Sequence, residues 1–198
     1  AGHAVNGRRK AAGKSAATDI WLWGQGRALT LATLQERYGL TGSVISAVDL
    51  VRGLGVLAGL KVRLVEGATG YLGTNYAGKV AAARAALDTE DFVYLHVEAP
   101  DEMGHEGRAD RKVQAIEEFD RFVVGEVLRW AEARGDVRVV VATDHETPVA
   151  IKTHAAGPVP YAVCGPGVAA GAAKAFSESA AAELPVESPA AVFDRLIR

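Results

Sequence analysis

Short, almost uniformly aliphatic runs, each followed by a helical pattern, constrain this chain more than any other feature. Ser43-Val-Ile-Ser-Ala-Val48, Phe92 to Val97 and Arg138-Val-Val-Val-Ala142 have no polar alternation, as strands buried on both faces require. Lys61 to Val65 alternates more clearly, and Asp19-Ile-Trp-Leu-Trp23 and Val159 to Cys164 read as further strands. Between them lie helical patterns over Leu31 to Tyr38, from Val48 to about Leu57, Tyr76 to Leu87 and about Arg111 to Arg134. Another spans Pro189 to Ile197, behind an Ala-rich low-complexity patch. Strands alternating with helices predict an α/β fold, a mainly parallel sheet with helices on both faces. No internal repeat interrupts that order.

Composition narrows the class. Hydrophobic residues make up 49% and charged residues 23% of 198 residues, enough for the core of one globular domain. A net charge of −2 gives no reason to expect nucleic acid or an anionic membrane as partner. Cys164 stands alone, so an internal disulfide framework and a cysteine-rich zinc site are excluded, and the cytoplasm is the default compartment. No apolar stretch approaches the roughly 18 residues of a membrane span. The basic start has no apolar run after it and does not read as a signal peptide. Residues 1–18, rich in Gly, Ala, Arg and Lys, read as a linker or the end of a preceding region, and residues 19–198 as one domain.

The chemistry-bearing residues cluster behind two of the apolar runs. Glu98-Ala-Pro-Asp-Glu-Met-Gly-His-Glu-Gly107 follows the Phe92 run, and its Asp101 and His105 stand four apart, on one face of a helical turn. A carboxylate and an imidazole so placed suit zinc or a divalent transition ion; a solvated turn is the plainer reading of the pair alone. Thr143-Asp144-His145-Glu146-Thr147-Pro148 follows the Arg138 run, with His154 nine residues beyond His145. Parallel sheets place ligands just past their strand ends. Asp144 and His145 are adjacent, so their side chains diverge and two ions about 3.5–4 Å apart accommodate the set better than one. Against this stands the alternative that the aspartates cap helices and the histidines fill polar niches. Gly24-Gln25-Gly26-Arg27 is either an ordinary turn or a cradle for an anion. On the long helix, Asp120 falls between Ile116 and Val123 of an apolar stripe (Val113, Ile116, Val123, Val127, Trp130), which predicts a partly buried, hydrogen-bonded carboxylate supporting the ligands.

The motifs IWLWGQG (20–26), YGLTGSVISAVDLVRGLGVLAGL (38–60), GATGYLGTNYAGK (67–79), HVEAPDEMGHEG (96–107), DHETP (144–148) and KTH (152–154) occur in one order along the chain. Together they resemble the C-terminal part of the cofactor-independent phosphoglycerate mutases of the archaeal type, in the alkaline phosphatase superfamily. The resemblance implies an alkaline-phosphatase-like sheet, incomplete relative to the full family, and interconversion of 3-phosphoglycerate and 2-phosphoglycerate through a phosphoserine. It implies two divalent ions, manganese first, with zinc, cobalt or magnesium as alternatives. Asp101, His105 and His154 would hold one ion, and Asp144 and His145 the other. Gln25 and Arg27 would fall among the phosphoglycerate contacts, and Arg52 stands where relatives often have Lys. The family's nucleophilic Ser and first Asp ligand have no counterpart here; Ser15, Ser43 and Ser46 stand in other contexts. Gly73 replaces a common Asp, and Thr18-Asp19 a common Ala-Asn. Rival expectations are a phosphohydrolase or phosphonate-directed member of the superfamily, and a truncated, non-catalytic metal-binding domain.

Overall fold

A computed structural model describes residues 2–22 and 24–197. The chain divides into two compact units, Ala1–Thr30 and Leu31–Arg198.

In the first unit, helix α1 (Ala4–Ala11) occupies part of the stretch expected to lack regular structure. His3 caps it, its ring accepting the Val5 amide at 3.2 Å. The Asn6 amide exchanges two hydrogen bonds with the backbone of Ala17, at 2.6 and 2.9 Å, and folds the following segment back on the helix. The strand predicted from Asp19 is absent over residues 19–22; Trp23 lies outside the described residues. Ile20, Trp21 and Leu22 are 85–90% exposed. Among the described residues of this unit no strand is present for their apolar pattern to pair with.

The second unit begins with α2 (Leu34–Tyr38), closed at its start by a capping box between Thr33 and Glu36 and at its end by Gly39 in the left-handed region. Strand β1 (Gly42–Ile45) is buried throughout. Helix α3 (Asp49–Leu57) follows, then the two-residue β2 (Lys61–Val62), shorter than the alternation to Val65 suggests. Helix α4 (Tyr76–Ala86) leads to β3 (Phe92–Leu95). These strands form a parallel sheet in the order β2-β1-β3, with Val44 opposite both Val62 and Tyr94. Gly42 allows that pairing to close: a Cβ there would lie 2.7 Å from the Phe92 carbonyl oxygen. Helix α3 packs just as tightly, since a Cβ on Gly55 would meet Val44 Cγ1 at 2.5 Å.

Beyond β3 come α5 (Ala99–Glu106) and α6 (Ala109–Phe119), a turn of π-helix (Asp120–Val124) and α7 (Gly125–Arg134). Strands β4 (Val139–Ala142) and β5 (Tyr161–Cys164) form a separate antiparallel pair, and α8 (Glu178–Ala181) and α9 (Pro189–Ile197) complete the chain. No described helix is long and apolar enough to cross a membrane. Two apolar clusters organise the middle of the unit. Tyr76, Val80 and Val123 pack with Leu95, Phe119 and Val127, while Ala99, Met103 and Ala115 pack beneath α5.

The buried face of α6 and α7 therefore runs through Ala115, Phe119, Val123 and Val127, not through Val113 and Ile116, which are 56% and 50% exposed. This overturns the expectation for Asp120. It is exposed, and among the described residues it has no side-chain hydrogen bond. The π turn starts at Asp120 itself, and its extra residue resets which positions face inward beyond it.

At the amino ends of the parallel strands a carboxylate is fully enclosed. Glu90, with no exposed side-chain surface, accepts from the Ser43 hydroxyl, from Arg63 Nη2 at 2.7 Å and from Lys61 Nζ at 3.0 Å. Arg63 Nε also donates to Ser43 Oγ at 3.0 Å. Burial would push the Glu90 carboxyl up, but the bonds from Ser43, Lys61 and Arg63 more than reverse it and hold the group below its ordinary 4.5.

Candidate metal centre

Helix α5 is built to present two ligating groups. Glu98 occupies its N-cap position, Pro100 sits in the first turn, and Gly107 ends it in the left-handed region. His105 Nε2 thereby comes within 3.2 Å of Asp101 Oδ2, one turn earlier. His154 reaches the same point from the loop after β4, its Nε2 3.1 Å from His105 Nε2 and 3.4 Å from Asp101 Oδ1. Asp101 thus meets the two imidazoles through different oxygens, while the two ring nitrogens, 3.1 Å apart, lie close to the ~3.3 Å edge of a tetrahedron with ~2.0–2.1 Å bonds. The donor set of one carboxylate and two imidazoles fits zinc or a divalent transition ion.

The surrounding bonds fix which ring nitrogens carry lone pairs. His105 Nδ1 lies 3.1 Å from the carbonyl oxygen of Lys152, which can only accept. In the neutral ring Nδ1 then holds the hydrogen and Nε2 faces the cluster unprotonated. Among the described residues Lys152 is the one non-glycine with positive φ, 54°, and that left-handed turn belongs to the segment that carries His154.

Thr147, almost fully buried, donates its hydroxyl hydrogen to Asp101 Oδ1. Its oxygen is left to accept from His145 Nδ1 at 3.2 Å, with the Glu146 carbonyl 3.3 Å from the same nitrogen. His145 Nε2 is thus the unprotonated atom of its neutral ring, and it faces Asp144 Oδ2 at 3.5 Å. Two acceptors facing one another are the arrangement that a cation resolves. The loop reaches this depth because Gly104 has no side chain; a Cβ there would stand 2.5 Å from the Thr147 carbonyl oxygen. Lys112 Nζ caps that same oxygen at 2.6 Å.

The structure therefore gathers Asp101, His105 and His154 into one cluster. His145 joins its edge, its ring 3.8 Å from that of His154 centroid to centroid, and Asp144 stands outward with its side chain 61% exposed. Arg52 is not brought to the cluster by any described bond; it pairs with Asp49 on its own helix. Gln25 and Arg27 are exposed in the first unit, in a stretch without helix or strand.

Several participants escaped the sequence reading. His96 Nδ1 is 3.1 Å from Ser46 Oγ, and its Nε2 is 3.3 Å from Glu98 Oε2. Lys79, fully buried on α4, donates to the His96 carbonyl at 2.9 Å. A lysine on the inward face of an Ala-rich helix was the available signal, since buried ammonium groups need partners. Burial, then the charges of Asp101, Glu102 and Asp144, push the Glu98 carboxyl up, so negative charge is crowded at this edge.

Residues 4–185 match the family described as the metalloenzyme superfamily. The chain belongs to that superfamily. A probable 2,3-bisphosphoglycerate-independent phosphoglycerate mutase of Geobacter sulfurreducens is 56% identical over 154 residues, covering 78% of this chain and 39% of its own length. The 2,3-bisphosphoglycerate-independent phosphoglycerate mutase of Methanothrix thermoacetophila is 52% identical over 182 residues, 91% of this chain and 46% of its own length. The chain thus spans less than half the length of these relatives. Among solved structures, the PH0037 protein of Pyrococcus horikoshii superposes with a TM-score of 0.80 at 32% identity, over 90% of this chain and 47% of that one. The cofactor-independent phosphoglycerate mutase of Thermoplasma acidophilum, 21% identical, shares the fold with a TM-score of 0.62 over 99% of this chain and 46% of its own. Membership of the superfamily implies divalent-metal binding, and Asp101, His105 and His154 are a candidate group for it.

Proposed function

We propose that this chain forms the metal-holding part of a 2,3-bisphosphoglycerate-independent phosphoglycerate mutase, which interconverts 3-phosphoglycerate and 2-phosphoglycerate. The observation that carries the reading is the convergence of the Asp101 carboxylate, His105 Nε2 and His154 Nε2, each within 3.4 Å of the others, a donor set that suits one divalent ion. The names and identity of the relatives support the substrate. Asp101, His105 and His154 hold one ion; Asp144 and His145, two acceptors held face to face, hold a second. Manganese is the ion we assign to both.

When bound, the ions stabilise charge on the transferring phosphoryl oxygens as Lewis acids. The chain's own residues orient that chemistry. The Lys152 carbonyl and the Thr147 hydroxyl keep the hydrogens of His105 and His145 on Nδ1, away from the site. Gln25, Arg27 and Arg52 supply contacts to the anionic substrate. The phosphoserine is not assigned to any residue of this chain. In domain terms, residues 19–198 are the metal-binding region and residues 1–18 a linker or the end of a preceding region, and the compartment is the cytoplasm.

Elemental analysis after loading with manganese or zinc tests the site. Two ions per chain are expected, with Asp101→Ala and His145→Ala each lowering the count; an unchanged count in both variants overturns the assignment. The 198-residue chain should convert no 3-phosphoglycerate above background. Robust conversion would overturn the unassigned nucleophile and direct the search to Ser15, Ser43, Ser46 and Thr69.

A further inference from the structure

The bonds beneath the cluster converge on His96. Ser46 and His96 are the first residues past β1 and β3, and the His96 amide donates to the Ile45 carbonyl at 2.8 Å. The Val48 amide donates to Ser46 Oγ at 3.0 Å, which leaves the hydroxyl hydrogen for His96 Nδ1 at 3.1 Å. A neutral imidazole then carries its hydrogen on Nε2, which lies 3.3 Å from Glu98 Oε2. Burial, partly opposed by the charge of Asp144, holds that imidazole below its ordinary value and favours the neutral form. From α4, Lys79 holds the His96 carbonyl at 2.9 Å. Glu98 is the residue from which α5 starts: its carbonyl accepts the amides of Asp101 at 2.9 Å and Glu102 at 3.3 Å.

We propose that His96 is a positioning residue for the metal centre: through the chain Ser46–His96–Glu98 it fixes the first turn of α5, and with it Asp101 and His105. A serine, an imidazole and a carboxylate in series also describe an activated nucleophile. Ser46 is 5% exposed, however, and its oxygen already accepts the Val48 amide, so we read the series as a brace. The inference rests on the metal reading above and adds to it a group that touches no ion.

The test is a Co2+ titration of the 198-residue chain followed by its d–d absorption, with the ring tautomer of His96 read by 15N NMR. The Nε2–H tautomer is expected in the wild type. His96→Gln places an amide donor towards Glu98 and should bind Co2+ within about threefold of wild type, whereas His96→Asn, reaching only Ser46, should lose about 10-fold and shift the absorption band. Far-UV circular dichroism should be unchanged in both. If His96→Asn does not fold, Ser46→Ala decides instead, and should also weaken binding and shift the band. Wild-type affinity and band in His96→Asn, or in Ser46→Ala where that variant decides, would overturn the proposal, as would an Nδ1–H tautomer. Those results, with Asp101→Ala still lowering the Co2+ count, would leave the metal site standing. No saturable Co2+ binding by the wild type, or binding unaffected by Asp101→Ala, would overturn both readings together.

Discussion

At the amino ends of the parallel strands one carboxylate, Glu90, is enclosed by two cationic side chains and a hydroxyl, whereas at the carboxyl ends Glu98, Asp101 and Glu102 crowd together beside imidazoles. The first cluster is closed: every charge has its partner among the chain's own residues, and bonding overrides the cost of burial. The second is open. Its carboxyl groups repel one another, and the His105 and His145 lone pairs lie against the Asp101 and Asp144 carboxylates. Both ends are polar and both are built from residues far apart in the sequence. The two differ in their partners: Lys61 and Arg63 reach Glu90, whereas among the described residues no Lys or Arg pairs with Asp101.

That contrast is broken most severely by Glu90→Ala. Removing the enclosed carboxylate leaves the buried Ser43 hydroxyl without its acceptor, a loss of about 1–3 kcal/mol, while Lys61 and Arg63, 68% and 38% exposed, can turn to solvent. Chemical denaturation should show that loss, with Co2+ affinity per folded molecule unchanged. A fall in affinity would mean that the two edges are coupled. Asp101→Ala should behave inversely, lowering the metal count while the metal-free protein keeps its stability or gains some. Gly104→Ala should touch both properties. Its new Cβ must push the Thr147 carbonyl away from 2.5 Å, an overpacking that costs about 1–3 kcal/mol. Because Thr147 also donates to Asp101, metal affinity should fall with it.

Acid separates the edges in order. Coordination needs unprotonated imidazole, and imidazoles charge at higher pH than carboxylates, so metal should leave first as pH falls. Glu90 is held below its ordinary 4.5, so its contribution to stability is fully present above 4.5 and is lost as pH falls through the lower folded value. Stability and metal content followed across pH should show two separate transitions. Glu90→Gln should remove the Glu90 contribution to the second and leave the first in place.

The open edge was more legible in the sequence than the closed one. Asp101 and His105 are four apart on a helix, and Asp144 and His145 end an aliphatic run, so local periodicity displays them. Glu90, Ser43, Lys61 and Arg63 lie at unremarkable spacings and meet only when the register Ser43 opposite Lys61 and Val93 is set. His96 and Lys79 were hidden for the same reason: one ends a strand, the other lies inside an Ala-rich helix. The strands of the parallel sheet could be read because burial on both faces forces aliphatic composition, though β2 ends three residues early. The strand expected from Asp19 failed because an apolar run marks the need for a partner without supplying one. The apolar stripe on α6 failed because small Ala115, not Val113 or Ile116, fills the close contact beneath α5.

Asp120 supplies the smallest expected effect and the control for both edges. A straight helical count from Ile116 to Val123 carried it towards the core, where a carboxylate needs a partner. It instead begins the π turn on the exposed side, its backbone carbonyl accepting the Gly125 amide. Asp120→Asn should therefore change stability by less than about 0.5 kcal/mol, as surface substitutions away from special features do. It should leave Co2+ affinity and the absorption band untouched. A carboxylate that belongs to neither cluster ought to matter to neither, so a measurable loss of metal in this variant would show that long-range charge, and not the contacts around Asp101, sets affinity at the open edge. Deleting the extra residue of the π turn is the complementary change. It would restore a continuous helix, rotate Val123 and Val127 away from Tyr76 and Val80, and destabilise the unit far more than the loss of the Asp120 charge.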